Sequence, residues 1–285
     1  MVRVYLDSWS RPETLLQFPA SGGDPEENAL GETLGYLNLL PGGKFLLIAS
    51  NGGKQRLAAG LPGTEPLPFL ETREESGFPS GVSANGNLAF LLGSPPDQQV
   101  ALASARDGRI LKRLSIKAAG LRNLALSPDS QTLYYATGGA VWSVPVSESS
   151  APRRIIDGDD VATDPSGRFL YVKQISKDPA LLVRVPTSGG ESEATPLPAG
   201  LHFTYDQMSN NAVDAQGRVL FEMSSPDSFF FRTALYDPAR KSVTRLPVRF
   251  EGDIWSPTWT PDGRIAAIGA RFASAIWRYH PVKGR

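Results

Sequence analysis

"SPTWTPDGRIAAIG", residues 256–269, contains a turn between two extended segments. Pro261 presets φ for the second turn position, Asp262 can accept a hydrogen bond from the backbone ahead of it, and Gly263 tolerates a positive φ. An alternating segment precedes this turn and an apolar run follows it. The stretch therefore predicts a β-hairpin.

The same pattern occurs six times along the chain. The copies are "LPGGKFLLIAS" (40–50), "SANGNLAFLLG" (83–93), "SPDSQTLYYAT" (127–137), "DPSGRFLYVKQ" (164–174), "DAQGRVLFEMS" (214–224) and "TPDGRIAAIGA" (260–270). Their turns lie near 41–44, 84–87, 128–131, 165–168, 215–218 and 261–264. Successive third turn residues are 43, 44, 37, 50 and 46 positions apart, and the mean of 44 is the period of a four-stranded blade. Because the turn recurs so evenly, we interpret it as part of the fold rather than as a site of chemistry.

Further strands follow each hairpin. Segments such as 140–146 and 180–186 have the pattern of a third strand, and segments such as 109–116 and 242–248 that of a fourth. No useful length of helical periodicity accompanies them, so the chain is all-β. We predict one domain over residues 1–285, a six-bladed β-propeller of four-stranded antiparallel blades.

The termini indicate how the ring closes. The last repeat offers three strands, the third at 274–280, and lacks the turn into a fourth. Strand-like segments lie near the N-terminus at 2–7 and 13–18. One of them is expected to complete the last blade, because a closed ring hides strand edges. We favour 13–18 as this outer strand, because its distance to the next inner strand is closer to that in the other blades.

Composition excludes several classes of function. Lys plus Arg equals Asp plus Glu at 29 each, so no field of one sign favours nucleic acid. The chain has no cysteine, which rules out disulfides and thiolate metal sites. No run approaches the length of a membrane span, and no export signal is present. We expect a soluble protein, cytoplasmic as printed, or extracytoplasmic if the chain is a fragment of a longer one.

Several segments resemble the TolB-type, PD-repeat family of WD-like propellers. They are "SPD" (127–129), "PDGR" (261–264), "IWRY" (276–279) and "VPTSGG" (185–190). The resemblance covers essentially the whole chain, although the turns of repeats one, two and five are degenerate. It implies an interaction platform of an envelope assembly, or a sensor domain of a bacterial kinase or regulator, in which case this chain would be the sensor part of a larger one.

Function on a propeller is expected where the blades differ, at the face opposite the repeat turns, where the inner strands begin. Five residues before each third turn residue the chain has small or compact residues, which suits strands converging on an axis: Asn38, Gly81, Ala125, Ala162, Ala212 and Thr258. Seven residues before it, at the channel mouth, are Tyr36, Pro79, Asn123, Asp160, Asn210 and Ser256.

We predict a non-enzymatic propeller that presents this mouth to a protein partner or a small ligand. The binding candidates are Asn123, Asp160, Asn210 and Ser256, supported by Arg122, Tyr205, Asp206, Asp253 and Trp255 from flanking loops.

The alternative is a divalent-metal-dependent lactonase or related hydrolase. Asn123, Asp160 and Asn210 offer oxygen ligands of the kind that Ca²⁺ prefers, and the set resembles the metal site of gluconolactonase-type enzymes. Asp160 or Asp253 would then act as ligand or base. The chain departs from that pattern because its first repeat has no obvious glutamate at the mouth, although Glu32 lies a few residues upstream.

Other features of the sequence favour structural roles. His202 and His280 lack the spacing of a zinc motif, and we expect ordinary surface or loop packing for both. No G-x-S-x-G nucleophile elbow occurs. The run Phe229-Phe230-Phe231 starts a third strand, so we expect core packing rather than a partner-binding patch.

Overall fold

The computed structural model describes residues 4–10, 13–30, 33–51, 54–117, 119–147 and 150–278. These residues form six four-stranded antiparallel sheets and one two-stranded sheet. The predicted all-β, six-bladed propeller is confirmed. The described part of the chain contains no helix, and hence none that could cross a membrane.

The strands follow the chain in this order. Near the N-terminus lie β1 (Val4–Ser10), β2 (Thr14–Phe18) and β3 (Glu26–Ala29). Blade one contains β4 (Thr33–Leu39), β5 (Phe45–Asn51), β6 (Lys54–Gly60) and β7 (Leu67–Pro68). Blade two contains β8 (Ser76–Val82), β9 (Asn87–Leu92), β10 (Gln99–Ser104) and β11 (Ile110–Lys117). Blade three contains β12 (Leu121–Leu126), β13 (Thr132–Thr137), β14 (Ala140–Pro145) and β15 (Arg153–Asp157).

Blade four contains β16 (Asp160–Thr163), β17 (Phe169–Gln174), β18 (Leu181–Pro186) and β19 (Glu193–Pro196). Blade five contains β20 (His202–Phe203), β21 (Val219–Ser225), β22 (Ser228–Asp237) and β23 (Ser242–Arg245). The last strands are β24 (Asp253–Trp259), β25 (Ile265–Ala270) and β26 (Phe272–Arg278).

The six repeat turns share one hydrogen bond and a left-handed third residue. Each third turn residue has a positive φ, and its N–H donates to the carbonyl three residues earlier, as Gly263 does to Thr260 at 2.9 Å. The third residue is glycine in every turn but one, and there Ser130 adopts a φ of 62°. The turn of the first repeat differs from the other five in one respect, because its second residue, Gly42, also has a positive φ, of 83°. The turns lie on one face of the ring, called here the turn face.

The ring is closed by two N-terminal strands rather than one. The sheet order of blade six is β24-β25-β2-β3, so β2 occupies the third position and β3 the outer one. The expectation that 13–18 forms the outer strand was therefore wrong in position, although the N-terminus does complete the last blade. The segment expected as third strand, 274–280, lies in β26 as far as Arg278, where it pairs with β1 in a separate sheet. Pairing between residues more than two hundred positions apart leaves no local mark in the sequence.

The core consists of apolar layers between adjacent blades. Each neighbouring pair of blades shares one buried cluster, and the ring is continuous because Leu15 and Ile268 of blade six pack with Leu37 and Phe45 of blade one. The six compact positions predicted near the axis are all buried. At one of them, a Cβ on Gly81 would overlap the carbonyl oxygen of Leu124, so the inner strands of blades two and three approach closely.

Blade five departs from the repeat. Its inner strand β20 has two residues, and the chain returns to the sheet only at Val213, which bridges to Val219. Residues 204–212 between them, called here the channel segment, lie opposite only residues 220–222 of β21. Asn210, which the alignment placed at the channel mouth where an inner strand begins, therefore lies in this insertion instead. The longest spacing between repeats, 50 residues from Gly167 to Gly217, reflects this insertion.

The expectation of core packing was also wrong for Phe229. This side chain is 94% exposed, whereas Phe230 and Phe231 are partly buried. The outer strand β23 pairs only with residues 234–237 of β22, so the start of β22 extends beyond its neighbour. Phe229 lies on this uncovered end.

Candidate functional site

The channel segment fills the centre of the ring. It forms hydrogen bonds with the inner strands of all five other blades, which is possible only near the axis. The space left between its residues 208–210 and the inner strands of blades two to four is too small for a water molecule. The channel is therefore closed at this level.

Blades three and four hold the first half of the segment. Asn123 donates from Nδ2 to Asp160 Oδ1 at 2.6 Å and to the carbonyl of Met208 at 3.0 Å. The N–H of Met208 donates to Asp160 Oδ2 at 2.8 Å. Both side chains are buried. Two of the predicted mouth residues thus meet, and together they satisfy the backbone of the channel segment.

Blades one, two and six hold the second half. The N–H of Asn210 donates to Asn38 Oδ1 at 2.7 Å, and its side-chain oxygen accepts from the N–H of Leu39 at 3.1 Å. Its Nδ2 also contacts the carbonyl of Val82 in blade two at 3.4 Å. Ser209 donates to the carbonyl of Pro257 at 3.1 Å. A single segment is therefore anchored around the whole ring.

A buried cation balances Asp160. Lys173 Nζ lies 2.8 Å from Asp160 Oδ2, and only 1% of its side chain is exposed. The same ammonium donates to the carbonyl of Asp206 and lies 5.8 Å from the centre of the Phe203 ring. The sequence analysis missed Lys173. Its signal was a lysine inside the apolar strand "FLYVKQ", directly opposite Asp160 in the hairpin.

A buried carboxyl group, Glu222, supports the start of the channel segment. Its Oε1 accepts from the N–H of Ser256, and its Oε2 accepts from Thr204 Oγ1 at 3.1 Å. Burial raises the pKa of Glu222 well above its usual range, and the neighbouring charge of Asp206 and a hydrogen bond with that residue raise this pKa further. Glu222 was also missed, although it interrupts the apolar run "VLFEMSS".

Asp206 influences two more acids at this end of the channel. Burial raises the pKa of Asp253. The N–H of Phe231, which donates to Asp253 Oδ1 at 2.7 Å, and the charge of Arg232 oppose this shift, and the charge of Asp206 adds a smaller contribution to it. Burial likewise raises the pKa of Tyr36, with smaller contributions from the charges of Asp206 and Glu222.

A large cavity lies on the face opposite the repeat turns, between blades four and five. It measures about 870 Å³ and is called here the cleft. Its walls are the loop between β17 and β18, the connection from β19 into β20, and the start of the channel segment, with Ser224 and Phe231 from blade five. The lining comprises Ile175, residues 177–180, residues 197–206, Ser224 and Phe231. Tyr205 and Asp206, two predicted candidates, both line it.

Tyr205 stands at the rim of this cleft with 73% of its surface exposed. The guanidinium of Arg122, another predicted candidate, lies 5.3 Å from the centre of its ring. Phe229 is on the same side of β22 as Phe231, because alternate residues of a strand share a face. The rim thus offers the exposed ring of Tyr205 beside the exposed guanidinium of Arg122.

The remaining candidates divide between the two ends of the channel. Ser256 is buried against Glu222, while Asp253 and Trp255 are partly buried at the start of β24. A second cavity of about 250 Å³ opens on the turn face, where repeat-turn prolines surround Asn210 and Asn211. Asn210 therefore belongs to the opposite end of the segment from Tyr205. His202 is exposed on β20, and His280 lies outside the described residues.

Two of the proposed metal ligands, Asn123 and Asp160, use their side-chain oxygens in hydrogen bonds within the protein. Asp160 accepts from Asn123, Met208 and its own successor Val161, and pairs with Lys173, while Asn123 Oδ1 accepts from the N–H of Leu124. Within the ranges that the structure describes, no group of three or more His, Asp or Glu side chains is placed to bind a metal ion. A calcium site at Asn123, Asp160 and Asn210 remains a prediction for experiment.

Comparison with known proteins supports the fold. No family model and no curated protein matches the chain in sequence. Among solved structures, a candidate TolB protein from Agrobacterium tumefaciens has a TM-score of 0.67 at 16% identity, over 91% of this chain and 98% of its own. TolB from Acinetobacter baumannii has a TM-score of 0.55 at 12% identity, over 93% of this chain and 66% of its own.

Hydrazine synthase from Kuenenia stuttgartiensis has a TM-score of 0.55 at 14% identity, over 82% of this chain and 72% of its own. These structures agree with the TolB-type resemblance seen in the repeat turns. Proteins of different function share this fold at such low identity. The likeness therefore shows the fold only, and function has to be argued from the site.

Proposed function

We propose that this chain is a non-catalytic binding or sensor propeller that receives its ligand in the cleft between blades four and five. The observation that carries the proposal is the cavity of about 870 Å³ with the exposed ring of Tyr205 at its rim and the carboxyl group of Asp206 in its wall. Small-molecule sites are concave, largely apolar and provided with a few polar groups, as this cleft is.

The closed channel supports this choice. Since the channel segment fills the axis, a ligand reaches the ring from one face or the other. The cavity on the turn face has less than a third of the volume of the cleft and is surrounded by the repeated turns. The cleft instead lies where the blades differ, in loops that a rigid ring positions.

The ligand is either a small molecule or a projecting group of a protein partner. The cleft alone accommodates the first. The exposed ring of Phe229, on the strand face that leads to Phe231, would add contact area for the second, since exposed aromatic residues favour interfaces. Both occupants would contact Tyr205.

The test is a fragment library screened by amide chemical shifts in NMR, followed by affinity measurements on the variant Tyr205→Ala. We expect hits to shift residues 197–206, and the variant to weaken them about tenfold, equivalent to about 1.4 kcal/mol. Leu111→Ala, which changes an exposed apolar residue on an outer strand, is the control and should leave affinity unchanged. Hits that map to the turn face, or that bind Tyr205→Ala as tightly as the wild type, would contradict the proposal.

The lactonase alternative makes a different prediction. A structural or catalytic Ca²⁺ that binds only the folded chain must stabilise it, so chelation would lower the melting temperature and added Ca²⁺ would restore it. The binding proposal expects no response to either treatment. A Ca²⁺-dependent shift that Asp160→Asn abolishes would favour the enzyme.

A further inference from the structure

Two polar side chains lie next to each other in the lining of the cleft. His202 of β20 and Ser224 of β21 are directly opposite in the antiparallel pair, and both line the cavity. The side chains of directly opposite residues share one face of the sheet, with their Cβ atoms roughly 5 Å apart. The imidazole and the hydroxyl group can therefore contact one ligand together.

These two groups are free to bind a ligand, and so is the hydroxyl group of Tyr205 at the rim. Within the part of the chain that the structure describes, none of the three side chains forms a hydrogen bond with another residue. A hydroxyl group both donates and accepts hydrogen bonds, and a neutral imidazole donates from one nitrogen and accepts at the other. Ligand hydroxyl groups have the same dual capacity, whereas an ammonium group only donates and a carboxylate only accepts. The free groups therefore match a ligand with several hydroxyl groups.

The charged groups around the cleft are of both signs. Lys177 and Asp178 are exposed neighbours in the loop between β17 and β18, and both line the cavity. The carboxyl group of Asp206 lies in the wall, and the guanidinium of Arg122 lies beside the rim at Tyr205. These two cations equal the two acids in number, so the described lining has no excess of one sign to attract a cation or an anion. This balance favours an uncharged ligand.

The ring of Tyr205 offers an apolar surface to such a ligand. The guanidinium of Arg122 lies over one face of this ring, 5.3 Å from its centre, and 73% of the tyrosine is exposed. The other face is therefore accessible. Aromatic faces carry a partial negative charge, so they attract the weakly positive C–H groups of an aliphatic ring. Phe231 also lines the cavity and provides a second aromatic surface.

We propose that the cleft binds an uncharged pyranose sugar, which places a C–H face of its ring on Tyr205 and its hydroxyl groups at His202 and Ser224. The inference rests on the proposed function of the cleft, because it names the class of ligand for that same site. A pyranose combines an aliphatic ring face with hydroxyl groups around its edge, which are the two features that the cleft can recognise. The cavity of about 870 Å³ lies within the range of roughly 300–1,000 Å³ that is usual for small-molecule sites.

Amide chemical shifts measured by NMR during titration test the class of ligand. The probes are the methyl glycosides of glucose, galactose, mannose and N-acetylglucosamine, which are all uncharged. We expect at least one of them to shift the amides of residues 201–206 and of Ser224 saturably. For that sugar, the corresponding uronic acid, which is an anion, and the corresponding 2-amino sugar, which is a cation, should bind no more tightly.

Variants separate the contribution of the aromatic ring from that of the polar groups. Tyr205→Ala should weaken binding of that sugar about tenfold, whereas Tyr205→Phe keeps the ring and should retain more of the affinity. Ser224→Ala and His202→Phe should each weaken it about threefold to tenfold, as expected for the loss of one hydrogen bond. Ser242→Ala is the matched control, because Ser242 is also half-buried but lies on the outer strand β23 of the same blade, outside the lining of the cleft. It should leave the affinity unchanged.

Three results would overturn the assignment of a sugar: no shift of these amides with any glycoside, tighter binding of a charged analogue, or wild-type affinity in Ser224→Ala. None of them would affect the fragment mapping, which tests the cleft with ligands of any class. Conversely, fragments that map away from the cleft would count against the proposed function whatever the sugars do. The two failures are therefore distinguishable.

Discussion

At the scale of single residues, Asp160 shows why a polar residue at the channel mouth need not be a ligand. Each carboxylate oxygen accepts a backbone or side-chain hydrogen bond, and Lys173 neutralises the charge at 2.8 Å. Taking two charges out of water is costly, so such a pair persists where its geometry is well satisfied. Here it fixes the channel segment.

Removing one member of this pair should lower the free energy of unfolding more than removing both does. Lys173→Met leaves Asp160 buried without a cation, and we expect the free energy of unfolding to fall by about 3–5 kcal/mol. The double variant Lys173→Met with Asp160→Asn should recover a substantial part of that loss, because the uncompensated charge is gone. Urea denaturation measures both. A single variant as stable as the wild type would show that the pair is not coupled.

Reasoning from the sequence selected Asn123, Asp160, Tyr205 and Asp206 as binding candidates. It did not predict that the first two hold the channel segment, which contains the last two. It counted back from the turn in every repeat, which is valid where the inner strand is regular. The same reasoning missed Lys173 and Glu222, because both lie within apolar second strands, where the pattern indicates burial. A charge at such a position was the available sign that a buried partner faces it.

At the scale of elements, the inner strands carry the closest contacts. Strands β8 and β12 approach so nearly that Gly81 leaves no room for a side chain beside the carbonyl of Leu124. The compact residue predicted there has its reason in this contact. The channel segment is the exception among these elements, since it leaves the sheet and forms hydrogen bonds with all five other blades.

Two glycines of one strand provide a matched test. Gly81→Ala places a methyl group against a backbone carbonyl that cannot move independently, so we expect a loss of about 1–3 kcal/mol. Gly77→Ala on the same strand meets its nearest atoms at 4.0 Å and should have a much smaller effect. Thermal unfolding of the two variants makes the comparison. Equal effects would indicate that strand propensity, rather than crowding, limits this position.

At the scale of the whole molecule, the N-terminal strands close the ring. β2 pairs with β25, and β3 pairs with β2 on the outside. Arg271 adds a paired contact to Glu27, with nitrogen to oxygen distances of 2.6 and 2.7 Å. Blade six thus contains two strands from the N-terminal part of the chain and two from the C-terminal part. The apolar layer between blades six and one therefore depends on both parts of the chain.

Shortening an apolar side chain in the layer between blades six and one should lower the free energy of unfolding of the whole domain. Leu15 is fully buried between blades six and one, and Leu15→Ala is expected to cost about 2–5 kcal/mol through lost burial and the cavity left behind. Leu67→Ala, on an exposed outer strand of blade one, should be nearly neutral. Denaturant unfolding followed by fluorescence measures both changes. A small effect of the Leu15 change would mean that closure contributes little to stability.

The sequence by itself determined the number of blades, the position of every repeat turn and the small residues near the axis. These features are local: a turn needs particular residues at neighbouring positions, and strand alternation is visible within a few residues. Only the tertiary structure decided that two N-terminal strands complete blade six, that β26 pairs with β1, and that residues 204–212 fill the channel. Those arrangements depend on which distant strands meet once the ring closes. The buried polar groups also bind partners from distant parts of the chain, and no local sequence pattern indicates such contacts.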